Sequence, residues 1–142
     1  MFDLLEAIMN HFSGSDLAED VADRLFLDEA PAGAEFPYLV YSIVSASPDK
    51  TFSEEFIDTM IQFDIFSAST AATEVTNIYN HLKDLFDEQE FTIFGSTLIW
   101  MKLANLVTSM EALTTGNQPP ATAGQTSIRR WSADFDVKAL TT

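Results

Sequence analysis

The sequence predicts an α+β sandwich, in which a mostly antiparallel sheet of about four strands carries helices packed on one face. Three observations carry that prediction. Residues 2–12 and 71–86 repeat apolar side chains at helical spacing, residues 54–67 and 127–138 alternate apolar with polar, and Tyr38–Ser45 is apolar on both alternating sets. The 142 residues, 46% of them hydrophobic, form a single domain spanning 1–142. A chain of this length buries roughly 68–70% of its unfolded surface, enough for a real core.

In chain order, Phe2, Leu5, Met9 and Phe12, with Leu4 and Ile8 beside them, make residues 2–12 a short amphipathic helix that Ser13-Gly14 stops. A second helix is predicted at 15–23, capped by Ser15 or Asp16, with Leu17 and Val21 on one side. Both read as helices at the edge of the core. Arg24-Leu25-Phe26-Leu27 is a short apolar stretch ended by the turn-rich residues 28–34. Tyr38–Ser45 then reads as a central strand buried on two sides, and Ser47-Pro48-Asp49-Lys50 as the turn of an antiparallel hairpin. In the returning strand, Ile57, Thr59, Ile61, Phe63 and Ile65 form the core face. Phe56, Asp58, Met60, Gln62, Asp64 and Phe66 form the other.

The strongest helical signal is at 71–86, where Val75, Ile78, Tyr79, Leu82, Leu85 and Phe86 form one stripe behind a cap at Ser69 or Thr70. Asp84, Asp87 and Glu88 oppose the helix dipole and predict termination near Phe86. Residues 97–108 contain good helix formers, but their alternation favours a strand. That strand has Ile99, Met101, Leu103 and Val107 on one side and Leu98, Trp100, Ala104 and Leu106 on the other. Residues 113–126, with two Gly, two Pro and no charge, predict a long polar loop. The last strand, 127–138, turns Trp131, Ala133, Phe135 and Val137 inward and Arg130, Ser132, Asp134, Asp136 and Lys138 outward.

Charge and composition exclude several classes of function. There are 22 acidic and 7 basic side chains, for a net charge of -15, and 14 of the acids fall in residues 1–64. So few Lys and Arg cannot form the basic face that neutralises phosphates, and a DNA backbone would be repelled. The absence of cysteine removes disulfides, thiolate metal sites and Cys nucleophiles. The segment MFDLLEAIMNHF lacks the basic start of a signal peptide, and no apolar run nears the ~20 residues of a membrane span. A chain of cytoplasmic origin with no membrane partner is expected.

Catalytic and metal-binding patterns are missing. His11 and His81 sit on the two main helices without ligand spacing around them and read as helix-surface or half-buried histidines. Ser13-Gly14-Ser15 and Phe94-Gly95-Ser96 lack the strand-turn-helix context of a nucleophile elbow. Asp84, Asp87, Glu88 and Glu90 lack the alternating ligands and central Gly of a calcium loop. No cofactor, no metal and no enzymatic activity are expected.

What the pattern leaves over is surface. With helices on one sheet face, the other presents Tyr38, Val40, Phe56, Met60, Phe66 and Trp100 with nothing further to cover them except loops 28–36 and 109–126. An apolar patch of that size predicts a subunit interface. Arg129 and Arg130, a lone basic pair, read as edge charges or ion-pair donors at that interface.

The residues also resemble a family. The run Arg24-Leu-Phe-Leu-Asp-Glu-Ala-Pro31, then Phe36-Pro-Tyr-Leu-Val-Tyr41, then Ile61-Gln-Phe-Asp-Ile-Phe-Ser67, the helix end Leu82-Lys-Asp-Leu85 and the closing Trp131-Ser-Ala-Asp-Phe-Asp-Val137 are similar to the tail-completion or tail-terminator proteins of long-tailed bacteriophages and phage-like particles. The resemblance spans about residues 1–138. It implies a structural virion protein of the tail and neck, commonly a hexameric ring. Such a ring caps the tail tube, meets the head-side connector on its other side and lets DNA pass without binding it specifically. Its partners would be copies of itself, the tail tube protein and the head-tail connector protein. Another neck component, a stopper or adaptor, fits the same residues, and a host adaptor that binds a basic protein fits the acidity.

Overall fold

The computed structural model describes residues 2–50, 55–69, 71–112 and 127–141. The predicted loop at 113–126 and the candidate cap Thr70 lie outside the described residues. In chain order the elements are α1 (Phe2–Phe12), α2 (Asp16–Asp20), β1 (Leu25–Leu27), β2 (Tyr38–Lys50), β3 (Glu55–Ser67), α3 (Thr73–Phe86), β4 (Ser96–Ala112) and β5 (Ser127–Thr141). The strands form one sheet in the order β1-β2-β3-β5-β4, antiparallel throughout except for the parallel pair β1 and β2.

Among the described residues the sheet therefore has five strands rather than four. Three residues are too few to show alternation, so β1 reads in the sequence only as an apolar stretch. Its position is fixed from outside the strand. Leu39 N donates to the Arg24 carbonyl at 2.9 Å, and the Arg24 guanidinium bonds back to the carbonyls of Pro37 at 3.0 Å and Phe36 at 3.3 Å. The Phe36–Pro37 peptide between those carbonyls is cis. Because β1 reaches only to Tyr41 on β2, the central strand is β3, flanked by β2 and β5 along its length. Within Tyr38–Ser45 only Leu39, Val40 and Tyr41 are buried, which corrects the reading of 38–45 as doubly buried. The hairpin is present, but residues 47–50 continue β2, with Lys50 opposite Glu55.

All three helices cover the same face. The core joins Leu4, Ile8 and Phe12 of α1 to Leu17 and Val21, to Val75, Ile78, Leu82 and Phe86 of α3, and to the inward strand residues. On the strands these are Leu39, Tyr41, Ile61, Phe63, Ile65, Met101, Ala133, Phe135, Val137 and Ala139. Phe63 sits at the centre, with ring centroids 5.1 Å from Phe86, 5.6 Å from Phe135 and 6.0 Å from Tyr41. Leu17 and Val21 are fully buried, so α2 is a core element and not an edge one. Met9, expected on the buried stripe of α1, is exposed, and Ala7 replaces it in the core.

The helix ends follow simple chemistry. Ser15 caps α2, its Oγ accepting from Ala18 N at 3.2 Å. At α3 the N-cap is Ala72, which supplies no side-chain cap. Ser69 Oγ accepts from Ala71 N one turn earlier, while Ser67 Oγ donates to Glu74 at 2.7 Å and ties the first turn to β3. The helix ends after Phe86 as expected.

Two bulges in β4, between Leu98 and Trp100 and between Leu103 and Asn105, change which residues share a face. Leu98 opposes Ala139, Met101 opposes Val137, Leu103 opposes Phe135 and Leu106 opposes Ala133. Leu98, Met101, Leu103 and Leu106 therefore form the inward set. Ile99 and Val107 leave it and stand exposed.

Candidate subunit interface

The sheet face away from the helices has two aromatic ends and a polar middle. The register places Tyr38, Val40, Phe56, Met60, Phe66, Trp100 and Arg130 on this face. Arg129 is not with them. It pairs with Ser67, which is buried on the helix side, so alternation puts Arg129 on the opposite face from Arg130.

At one end Tyr38 stacks on Phe66 with centroids 4.9 Å apart, and Phe36 and Phe26 close around it at 5.2 and 5.9 Å. The Arg130 guanidinium lies over the Phe66 ring at 5.6 Å. Val40 is buried beneath this cluster and Tyr38 and Phe66 are half-buried, so loop 28–36 covers part of this end by contributing Phe36. At the other end Lys138 Nζ lies 5.0 Å from the Phe56 ring and 5.3 Å from Trp100, which Lys102 also approaches at 5.1 Å. Trp100, 39% exposed, is the most open of the set. It borders a shallow concavity of 250 Å³ shared with Ser45, Ser47, Asp58, Met60 and Asp136.

Between the ends Asp64, on the central strand, is 7% exposed. Three side chains donate to it: Arg130 Nη2 at 3.2 Å, Gln62 Nε2 at 2.9 Å and Ser132 Oγ at 2.5 Å. One strand away, burial and then the neighbouring carboxylates Asp64 and Asp136 push the Asp134 carboxyl above its ordinary range. Asp134 Oδ1 is buried without a hydrogen bond. The sequence shows these side chains only as alternating polar residues; pairing β3 with β5 in register is what brings Asp64, Arg130 and Ser132 together.

The two sheet edges differ. On the outer side of β4, Glu88 N donates to the Met101 carbonyl at 2.8 Å and Asp87 Oδ1 accepts from Leu103 N at 2.8 Å, so the α3–β4 connection plugs that stretch of edge. Nothing local in the sequence marks Asp87 for this, since its partner lies 16 residues away.

The two histidines are partnered. His11 Nε2 lies 3.0 Å from the Leu85 carbonyl and its ring stacks on Phe91. Its outer side borders an open cleft of 560 Å³ with Asp3, Glu6, Asn10 and Phe94. His81 Nδ1 pairs with the Asp20 carboxylate, joining α3 to α2. That hydrogen bond first, and the charges of Asp20, Asp16 and Asp84 after it, outweigh desolvation and raise the His81 pKa. The stabilisation is full below the unfolded value of about 6.5 and is lost as pH rises through the folded value. His81→Gln should therefore cost stability at pH 6 and progressively less toward pH 8, as read by thermal melts across that range. Because the imidazole is 39% exposed, water screens the pair, and the difference stays below about 1 kcal/mol.

Among the described residues no group of three His, Cys, Asp or Glu is placed to hold a metal ion, and no helix is long and apolar enough to cross a membrane.

Comparison with known proteins assigns the class. The family model described as tail completion protein gp17 matches residues 4–118, from α1 through β4, and the chain belongs to this family. It is a structural protein of the phage tail. Among solved structures, a chain of the virion of a native gene transfer agent particle superposes with a TM-score of 0.70. The match covers 95% of this chain and 92% of that one at 9% identity, a likeness of fold. A search of curated proteins gave no match.

Proposed function

We propose that the chain closes into a homo-oligomeric ring, a hexamer, that seats on the last ring of the tail tube, ends tube polymerisation and offers its other side to the head-side connector. Membership of the tail completion family over residues 4–118 is the observation that carries this reading. The mechanism is geometric. One side of the ring complements the tube, while the other does not reproduce the surface that recruits another tube ring. Such a role uses surfaces and no reacting group, so the chain acts without enzymatic chemistry or a cofactor. It acts in the virion after assembly from the host cytoplasm.

The acidity supports free passage of DNA. Residues 1–24 and 71–95, the helices with their connections, hold 11 acids against Arg24 and Lys83, whereas the strands and the remaining segments hold 11 acids against 5 bases. Most of the excess charge, -9 of -15, therefore sits on the helix layer, which in this reading flanks the DNA path. A polyanion beside a negative wall is repelled rather than held. Replacing the exposed residues Glu6, Glu19 and Asp23 together with lysine should convert a ring that ignores duplex DNA into one that retains it at low salt, by at least about tenfold in a gel-shift titration. Equal retention by both rings would remove the DNA-path assignment.

The ring itself is tested by native mass determination with negative-stain imaging. A closed particle of about six chains with an open centre is expected, as heterologous contacts that close require. A single-chain mass across the working concentration range would reject it.

A further inference from the structure

The sheet ends in two open edges that fit one another. On the β2 side, β1 pairs only with Leu39, Val40 and Tyr41, and Asp28 N adds a bond to the Tyr41 carbonyl. From Ser42 to Ser47 the outer side of β2 has no strand beside it among the described residues. On the β4 side the Asp87–Glu88 plug covers Met101 and Leu103, and from Asn105 to Met110 the outer side has no strand beside it among the described residues. Open edges of this kind are joining sites, which proteins usually blunt with charge, proline or cover. Among the described residues, the first half of β4 is covered at Met101 and Leu103 and the second is not.

We infer that Ser42–Ser47 of one protomer pairs with Asn105–Met110 of the next, so that the sheets run on from subunit to subunit around the ring. This rests on the ring reading above and names the contact that builds it. Charge favours the pairing. In a chain of net charge -15, neither Ser-Ile-Val-Ser-Ala-Ser at 42–47 nor Asn-Leu-Val-Thr-Ser-Met at 105–110 holds a charged residue, so two copies meet there without opposed carboxylates. Both stretches also expose an aliphatic side chain, Val44 at 54% and Val107 at 52%.

Direction and offset are compatible with closure. The successive antiparallel pairs β2–β3, β3–β5 and β5–β4 make β4 run opposite to β2. A rotation that lays one sheet beside the next brings the edges together antiparallel, the more stable arrangement. The open stretch of β2, which carries a bulge between Ile43 and Ser45, lies across from Asp58–Gln62 of β3, and that of β4 lies level with Gln62–Ser67. Joining them staggers neighbours by about four residues, roughly 13 Å at 3.3 Å per residue. Strand stagger is what closing a sheet on itself requires. Because the two edges differ, the contact is heterologous and leads to a ring.

The test uses full-length protein. Val44→Asp and Val107→Asp should each convert rings to single chains in native mass spectra, with thermal melts of the separated chains showing that the fold is kept. The conservative Val44→Thr and Val107→Thr should keep the ring. The chain has no cysteine, so Val44→Cys and Val107→Cys can be placed cleanly. With a short flexible bis-maleimide the double variant should give a covalent ladder up to the full ring, and each single variant no dimer. Rings that survive both aspartates, or dimers from a single cysteine, would overturn the edge contact while leaving the ring reading standing. A wild-type chain that forms no ring would instead defeat that earlier reading.

Discussion

Phe63→Ala should lower the stability of the domain by about 3–5 kcal/mol, the usual cost of deleting a fully buried aromatic ring and leaving its cavity. Phe63 lies at 0% exposure on the central strand, between Phe86 of α3, Phe135 of β5 and Tyr41 of β2. One ring thus links α3 to the strands on either side of its own. The surrounding aromatic rings are rigid and held by their own backbones, so they cannot collapse far into the space left behind. A domain of this size has about 5–15 kcal/mol in total, so the variant should unfold at a much lower urea concentration. Phe63→Leu, which keeps most of the volume, should lose far less. An alanine variant with an unchanged urea midpoint would mean that the helix layer is not fastened to the sheet through this contact.

Asp64→Ala should be the next most damaging change, at about 2–3 kcal/mol. It removes the carboxylate to which Arg130, Ser132 and Gln62 all donate, and hydrogen bonds to charged groups contribute about 1.5–3 kcal/mol where a buried donor loses its acceptor. The Asp64 side chain is 10% exposed and that of Arg130 38%, so water partly compensates the arginine and the loss stays below that of a fully buried pair. Asp64→Asn keeps an acceptor for Ser132 and should cost about half as much. Denaturant titrations of the two variants side by side read the difference; equal midpoints for alanine and wild type would show that the network adds nothing to the sheet.

These two residues mark what is legible in the sequence and what is not. Phe63 belongs to a strict alternation from Ile57 to Ile65, and period two with one buried face fixes both the strand and its core side. The α3 stripe is as plain, because the apolar residues recur at helical spacing over four turns. Asp64 is visible only as a polar residue on the outward set. Its importance comes from cross-strand partners 66 and 68 residues away, and no local pattern encodes a register. The bulges in β4 defeat alternation for the same reason in reverse. Each adds one residue without adding a step, so Leu98 and Leu106 appear on the wrong side of a strand that is otherwise correctly placed. The pair Arg129 and Arg130 was legible as charge but not as geometry, since neighbours along a strand face opposite ways.

The surface expected to join subunits is also sharpened by register. The outward aromatics are present, but Tyr38 and Phe66 are stacked on each other and Phe56 and Trp100 are roofed by Lys138. Much of that face is therefore occupied within one chain. The backbone edges at Ser42–Ser47 and Asn105–Met110 have no strand beside them among the described residues, and hydropathy does not mark such edges because the backbone groups are the same in every residue.

Whether this chain ends tube growth is read by polymerising the cognate tail tube protein with and without it and imaging the products. When the chain is present, tubes should stop growing and carry one additional ring of density at one end. Tubes that continue to lengthen at the same rate, with no added ring at either end, would contradict that role.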